Sequence, residues 1–188
     1  MSITPIIRNR RAVFPNQFDG TDIPESTIAE LLENANWAPT HRRTEPWRFQ
    51  VFVGDGRQHL SDYLGGAFLA KNPGLDKDDP RYTKVSEKPL QSAAVIAIIM
   101  HRDPEQRIPE WEEIAAVSCA VQNIWLSCTD QGIGGYWSTP EAMLKADQFL
   151  KLAENERCLG IFYMGNWDQR ELPAKRGDIE EKVKWIRE

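Results

Sequence analysis

Trp37-Ala-Pro-Thr-His-Arg-Arg-Thr-Glu-Pro-Trp-Arg-Phe49 ends one helical pattern and enters a strand. Pro39 and Pro46 stiffen it, and each proline pushes the residue before it out of the helical region. Between them His41, Arg42 and Arg43 offer several hydrogen-bond donors to an anion or to an acceptor-rich ring. Such a junction is either a plain connection or a holder for a flat, polar ligand. A second basic element, Arg8-Asn9-Arg10-Arg11-Ala12-Val13-Phe14, favours the holder.

Outward from this junction the chain alternates helices with strands. Residues 24–37 are predicted helical, with Ile28, Leu31, Leu32 and Ala35 on one face. Phe49, Val51 and Val53 alternate in a strand over 47–53, and Gly54-Asp55-Gly56 turns the chain. Residues 2–8 and 57–71 read as helices. Residues 72–89 are charged, carry Pro73, Pro80 and Pro89, and show no clear period, so they read as a loop or lid. The apolar run at 93–101 is a strand covered on both faces. The longest helix, 109–131, is apolar almost all round and is expected to be buried on most sides, one of them against another subunit. Gly132 stops it, and a strand begins towards Tyr136 and Trp137. A helix at 140–149, a strand at 157–165 and an amphipathic helix at 178–188 complete the pattern. One layered α+β or α/β domain over 1–188 follows, with 72–89 as an excursion.

Composition removes several classes of function. Hydrophobic residues make up 41% of 188, with seven tryptophans, enough for a sizeable core. A net charge of −5 argues against nucleic acid as the main partner. No apolar run approaches the ~20 residues that span a bilayer, and the N-terminus lacks a signal core. Cys119, Cys128 and Cys158 have no metal spacing and are odd in number. Cys119 and Cys128, inside a helical pattern, read as small core residues. The expectation is a soluble cytoplasmic protein without a membrane partner.

No nucleophile elbow, Walker loop, zinc-binding HExxH or dinucleotide fingerprint occurs. His101 closes a strand and reads as surface. The missing acid/base constellation points to a cofactor that carries the chemistry. Arg10 and Arg11 are either surface residues at a helix end or a clamp for phosphate. The loop through Pro39, Thr40, His41 and Arg43 suits a ring and a polyol chain. Gly134-Gly135-Tyr136-Trp137-Ser138-Thr139 either admits a ligand close to its backbone or is a tight turn with Trp137 in the core. A phosphate, a polyol and a flat ring together describe FMN.

With these markers in order, the chain resembles the FMN-dependent nitroreductase family, in particular the small bacterial NAD(P)H nitroreductases. The resemblance rests on Arg10-Arg11-Ala12, on Ala38-Pro39-Thr40 followed by Glu45-Pro46-Trp47-Arg48-Phe49, on the glycine-rich approach to Trp137, and on Leu172-Pro173-Ala174-Lys175-Arg176. It implies a three-layer α/β/α sandwich with a mainly antiparallel central sheet and a long buried helix at a dimer interface. It also implies a homodimer with two FMN sites built from both chains. Arg10, Arg11 and Ala12 would lie at the phosphate and ribityl end, with Arg176 reaching the phosphate. Trp37 and the loop around His41 would touch FMN, and Trp137, Ser138 and Thr139 would run beside the ring. Ala12 stands where the family often has serine, Arg42 or Arg43 where asparagine is common, and Ser138 where small relatives can carry arginine.

The resemblance further implies ping-pong hydride transfer from NADH or NADPH, through flavin N5, to a nitroaromatic, quinone or similar acceptor. Phe68, Tyr82 and Trp111 are candidates for shaping the acceptor pocket. The alternatives are a flavin-binding protein without turnover, or a specialised reductase of the same fold acting in dehalogenation, ene reduction or flavin fragmentation.

Overall fold

Residues 94–100 are buried without a break, and the other elements stack on both sides of that strand. The computed structural model describes residues 2–170 and 172–188. In chain order the elements are α1 (Thr4–Asn9), α2 (Glu25–Asn36), β1 (Trp47–Phe52), α3 (Asp55–Lys71), α4 (Pro80–Gln91), β2 (Ala94–His101), α5 (Glu110–Asp130), β3 (Ile133–Ser138), α6 (Glu141–Leu144), α7 (Asp147–Leu150) and β4 (Glu156–Asn166). The strands form one sheet in the order β1-β2-β4-β3, with every pairing antiparallel.

Strand periodicity divides the core into two clusters. From β2, Ala94, Ile96, Ile98 and Met100 face α2 and α5, where Leu31, Ala35, Val117, Val121 and Ile124 meet them. Val95 and Ala97 face the other way, onto Leu60 and Leu64 of α3 and Met143 and Leu150 of α6 and α7. This is the expected three-layer sandwich. Complete burial of Ile96 or Ile98 contributes about 1.5–3 kcal/mol each. Polar side chains lock the helical layer: Asn34 Nδ2 donates to Ser127 Oγ at 3.0 Å, and Asn123 Nδ2 donates to the Asn34 carbonyl at 3.0 Å.

Several expectations need correction. Residues 80–91 are helix α4, not loop: Asp79 caps it by accepting from the Arg81 N–H at 2.8 Å, and Pro80 occupies the first turn, where no N–H is missed. Pro89 lies inside the helix, where it lacks the N–H that would bond to the Val85 carbonyl. The helix expected at 140–149 is two short ones, α6 and α7, interrupted at Lys145 and Ala146. Residues 178–188 hold only a 3-10 turn, Glu180–Lys182, with Ile179, Trp185 and Ile186 exposed. An eleven-residue stretch with no surface to pack on does not sustain a helix. Within the single chain helix α5 leaves Trp111, Ala115, Cys119 and Gln122 as an exposed stripe at helical spacing, a face left for the subunit contact expected from the sequence. Cys119 is therefore a surface residue, whereas Cys128 is fully buried and its thiol is pushed up to about 12 by that burial.

Candidate functional site

The basic segment after α1 is fixed by its backbone. The Val13 N–H donates to the Gly135 carbonyl on the open edge of β3 at 3.1 Å, and the Trp125 indole N–H donates to the Arg11 carbonyl at 3.1 Å. The same indole lies under Arg10, whose guanidinium carbon sits 4.2 Å from the ring centroid. Arg11 donates from Nε to the Leu172 carbonyl at 3.3 Å, which brings the segment after β4 alongside. Burial, then the charges of Arg176 and Arg11, push the Arg10 guanidinium below its ordinary value. Among the described residues no carboxylate forms an ion pair with Arg10, Arg11 or Arg176. Three neighbouring cations without an ion-pair partner among the described residues form a local positive patch. Ala12 follows, half-buried against the second core cluster.

The proline-bounded loop lies at the other end of α5. Trp37 caps α2 and is 80% exposed, its indole N–H donating to the Glu33 carboxylate at 3.0 Å. Ala38 is buried, while Pro39 and His41 are exposed. His41–Arg43 form a tight turn in which Arg42 (φ 52°), Arg43 (φ 55°) and then Glu45 (φ 42°) are left-handed. Each costs on the order of 1–2 kcal/mol for a residue with a Cβ. Thr40 Oγ1 offsets part of this by accepting from the Glu45 N–H at 3.1 Å, and the Arg48 guanidinium donates to the Glu45 carbonyl at 2.8 Å. His41 Nδ1 meets Glu112 Oε2 of α5 at 2.6 Å.

Within one chain these two groups stay apart. His41 is anchored at Glu112 and Arg10 at Trp125, about 20 Å apart along α5 at 1.5 Å per residue. Trp137 is half-buried in the first core cluster, with its indole N–H on the Leu159 carbonyl at 3.1 Å; Ser138 is half-buried and Thr139 exposed. The glycines before them admit the protein's own side chains. A Cβ on Gly134 would stand 2.8 Å from Val13 Cγ1, and one on Gly135 2.7 Å from Phe162 Cζ. Gly134 and Gly135 therefore allow close packing inside the chain, while Ser138 and Thr139 at the end of β3 keep access to solvent.

Sequence reasoning missed a recess of ≈ 650 Å³ between Phe14 and α4, into which Lys84, Lys88, Gln91 and Tyr136 project. Lys88 Nζ lies 3.5 Å from the Tyr136 hydroxyl, and the rings of Phe14, Tyr136 and Tyr163 follow one another at 4.8 and 5.3 Å. Burial pushes the Tyr163 phenol far up, so it is neutral. Lys84, Lys88 and Gln91 fall at helical spacing, a signal visible once Asp79-Pro80 is read as a helix start. Phe68 and Tyr82 face each other between α3 and α4 at 6.4 Å, and Trp111 is exposed. His101 is half-buried between Glu156 and Asn155 rather than at the surface. Among the described residues there is no cluster that holds a metal ion, and no helix long and apolar enough to cross a membrane.

Comparison with known proteins places this architecture. A sequence model of the Nitroreductase family matches residues 7–166. The chain is 28% identical over 181 residues to YfhC of Bacillus subtilis strain 168, provisionally named an NAD(P)H nitroreductase; the match covers 94% of this chain and 90% of that one. It is 22% identical over 212 residues to the nitrobenzene nitroreductase of Ectopseudomonas oleovorans, covering 94% and 91%. Among solved structures, a nitroreductase-like family protein from Bacillus cereus superposes with a TM-score of 0.82 at 28% identity, over 99% of this chain and 96% of that one. The FMN-dependent nitroreductase NfnB of Mycobacterium smegmatis, solved in complex with NADPH, shares the fold with a TM-score of 0.77 at 18% identity, over 98% and 97%. This chain belongs to the nitroreductase family.

Proposed function

We propose that the protein is an FMN-dependent NAD(P)H oxidoreductase, active as a homodimer with two composite flavin sites. The observation that carries the cofactor is the cation cluster of Arg10, Arg11 and Arg176, which has no ion-pair partner among the described residues. It fits a phosphate monoester, and the guanidinium fork matches phosphate oxygens. Ala12 and Arg11 continue the same wall towards the polyol. Bound there, FMN supplies reversible hydride transfer at N5, in a ping-pong cycle in which NADH or NADPH leaves before the acceptor arrives. The protein's own part is to bind, orient and shield. Trp137, Ser138 and Thr139 give one wall of the ring site, and Trp37, Pro39, Thr40, His41 and Arg43 complete it from the partner chain.

The dimer is supported by the separation along α5. A ligand of FMN size needs both basic groups near one place, and one chain holds them about 20 Å apart. A two-fold axis crossing α5 near its exposed stripe brings the Glu112 end of one helix beside the Trp125 end of the other. Trp111, Ala115 and Cys119, exposed in the single chain, are then covered. Flat, easily reduced nitroaromatics or quinones are the acceptors that suit a ring face open to solvent.

The test is the absorbance spectrum of the purified protein before and after anaerobic NADPH or NADH. Flavin bands that bleach establish the reductase and identify the donor. Bands that persist point instead to flavin binding without turnover. No bands after added FMN overturn the cofactor assignment.

A further inference from the structure

Among the described residues His41 is the loop side chain that hydrogen-bonds to α5, and Glu112 receives it. We propose that Glu112 is a positioning residue for His41: its carboxylate holds the Nδ1 proton, ties the left-handed turn to α5, and leaves Nε2 as the only imidazole nitrogen for a ligand. The inference rests on the flavin reading and assigns His41 a contact chemistry within it.

A carboxylate only accepts, so the 2.6 Å contact puts the proton on Nδ1 in either charge state of the ring. The His41 side chain is 58% exposed against 23% for Glu112, so the ring faces solvent while its anchor does not. In the neutral form of the ring, Nε2 is then an acceptor. An acceptor suits a hydroxyl or an imide N–H, and repels a phosphate oxygen. In that form His41 suits the polyol or the ring edge of the cofactor, and the phosphate is left to the arginines. The remaining hydrogen bonds of the turn, through Thr40, Thr44 and Arg48, are local. Those bonds close the turn on itself; Glu112 alone, by a side-chain bond, fixes where it points.

An unconstrained histidine side chain in water prefers its proton on Nε2, so the placement on Nδ1 is diagnostic. The experiment is 15N NMR of the histidine rings at alkaline pH, where imidazoles are neutral, on wild type, Glu112→Ala and Glu112→Gln. His41 is separated from His59 and His101 by comparison with His41→Gln. FMN affinity of the same proteins is measured by flavin fluorescence. Glu110→Gln, which removes a carboxylate from the same turn, controls for the charge at the helix start. The expected result is Nδ1–H for wild type, reversion to Nε2–H in Glu112→Ala, and an FMN Kd raised roughly tenfold. Glu112→Gln keeps an acceptor oxygen, retains Nδ1–H and rescues affinity to within about threefold. Wild type already at Nε2–H, or Glu112→Ala unchanged in both readouts, overturns the proposal. If wild type does not bind FMN, the flavin reading has failed, and the tautomer alone decides whether Glu112 holds the ring.

Discussion

The guanidinium of Arg10 lies 4.2 Å above the indole of Trp125, and that indole's N–H holds the carbonyl of Arg11. One side chain of α5 therefore aims one arginine and anchors the next.

Replacing Trp125 by phenylalanine keeps a ring under Arg10 and removes the donor to Arg11. The freed carbonyl costs on the order of 1 kcal/mol of stability. FMN binding is expected to weaken several-fold while the circular dichroism spectrum is unchanged. Urea melts and fluorescence titration measure the two effects; an unaltered FMN Kd would show that the Arg11 backbone position is irrelevant to the site.

Charge removal at Arg10 or Arg176 tests phosphate recognition itself. Each loss of a charge-assisted contact is worth about 1.5–3 kcal/mol, or roughly 10- to 100-fold in FMN Kd. Riboflavin, which lacks the phosphate, is expected to bind wild type and variants equally. Parallel losses for both ligands would place these arginines away from the phosphate.

The exposed stripe of α5 gives a third test. Ala115→Glu puts a charge on the face assigned to the proposed dimer contact and adds no burial cost to the single chain, since Ala115 is exposed there. Light scattering is expected to show monomers in place of dimers, with FMN lost in parallel. A dimer that persists with Ala115→Glu rules out this face.

Acid stability supplies a fourth. Asp103 accepts from Arg107 at its N–H and its guanidinium, and these bonds hold its carboxyl at about 2, below the ordinary value near 3.9. The folded value is the lower one, so the contribution is complete above about pH 4, declines as pH falls, and is gone below about pH 2. Asp103→Asn should therefore lose less stability than wild type between about pH 4 and 2. Urea midpoints at a series of pH values check this; curves that stay parallel would refute it.

Strand β2 and helix α5 were legible because an unbroken apolar run and a long apolar helix have few alternatives. Helix α4 was not, because three prolines masked a pattern that Asp79 and Pro80 in fact begin. The side of α5 left open was equally hidden: all its sides look apolar, and covering is a property of the neighbours. The 178–188 stretch failed for the related reason that an amphipathic pattern forms a helix only against a surface. Pro39, Pro46 and the basic residues between them exposed the loop half of the site. The closeness of Arg176 to Arg10 came from family resemblance, since no local period links residues so far apart. The lysine face of α4 fell with the helix that carries it.

The rigid spacing between Glu112 and Trp125 has a genetic consequence. Each proposed site takes its arginines from one chain and its loop from the other, so lesions in the two halves segregate. A chain carrying Arg10→Ala, mixed with one carrying Trp37→Ala and His41→Ala, forms hybrid dimers with one doubly damaged site and one wholly intact. Two alleles that are each inactive alone would complement in the same cell, with the hybrid dimers carrying half the flavin of wild type.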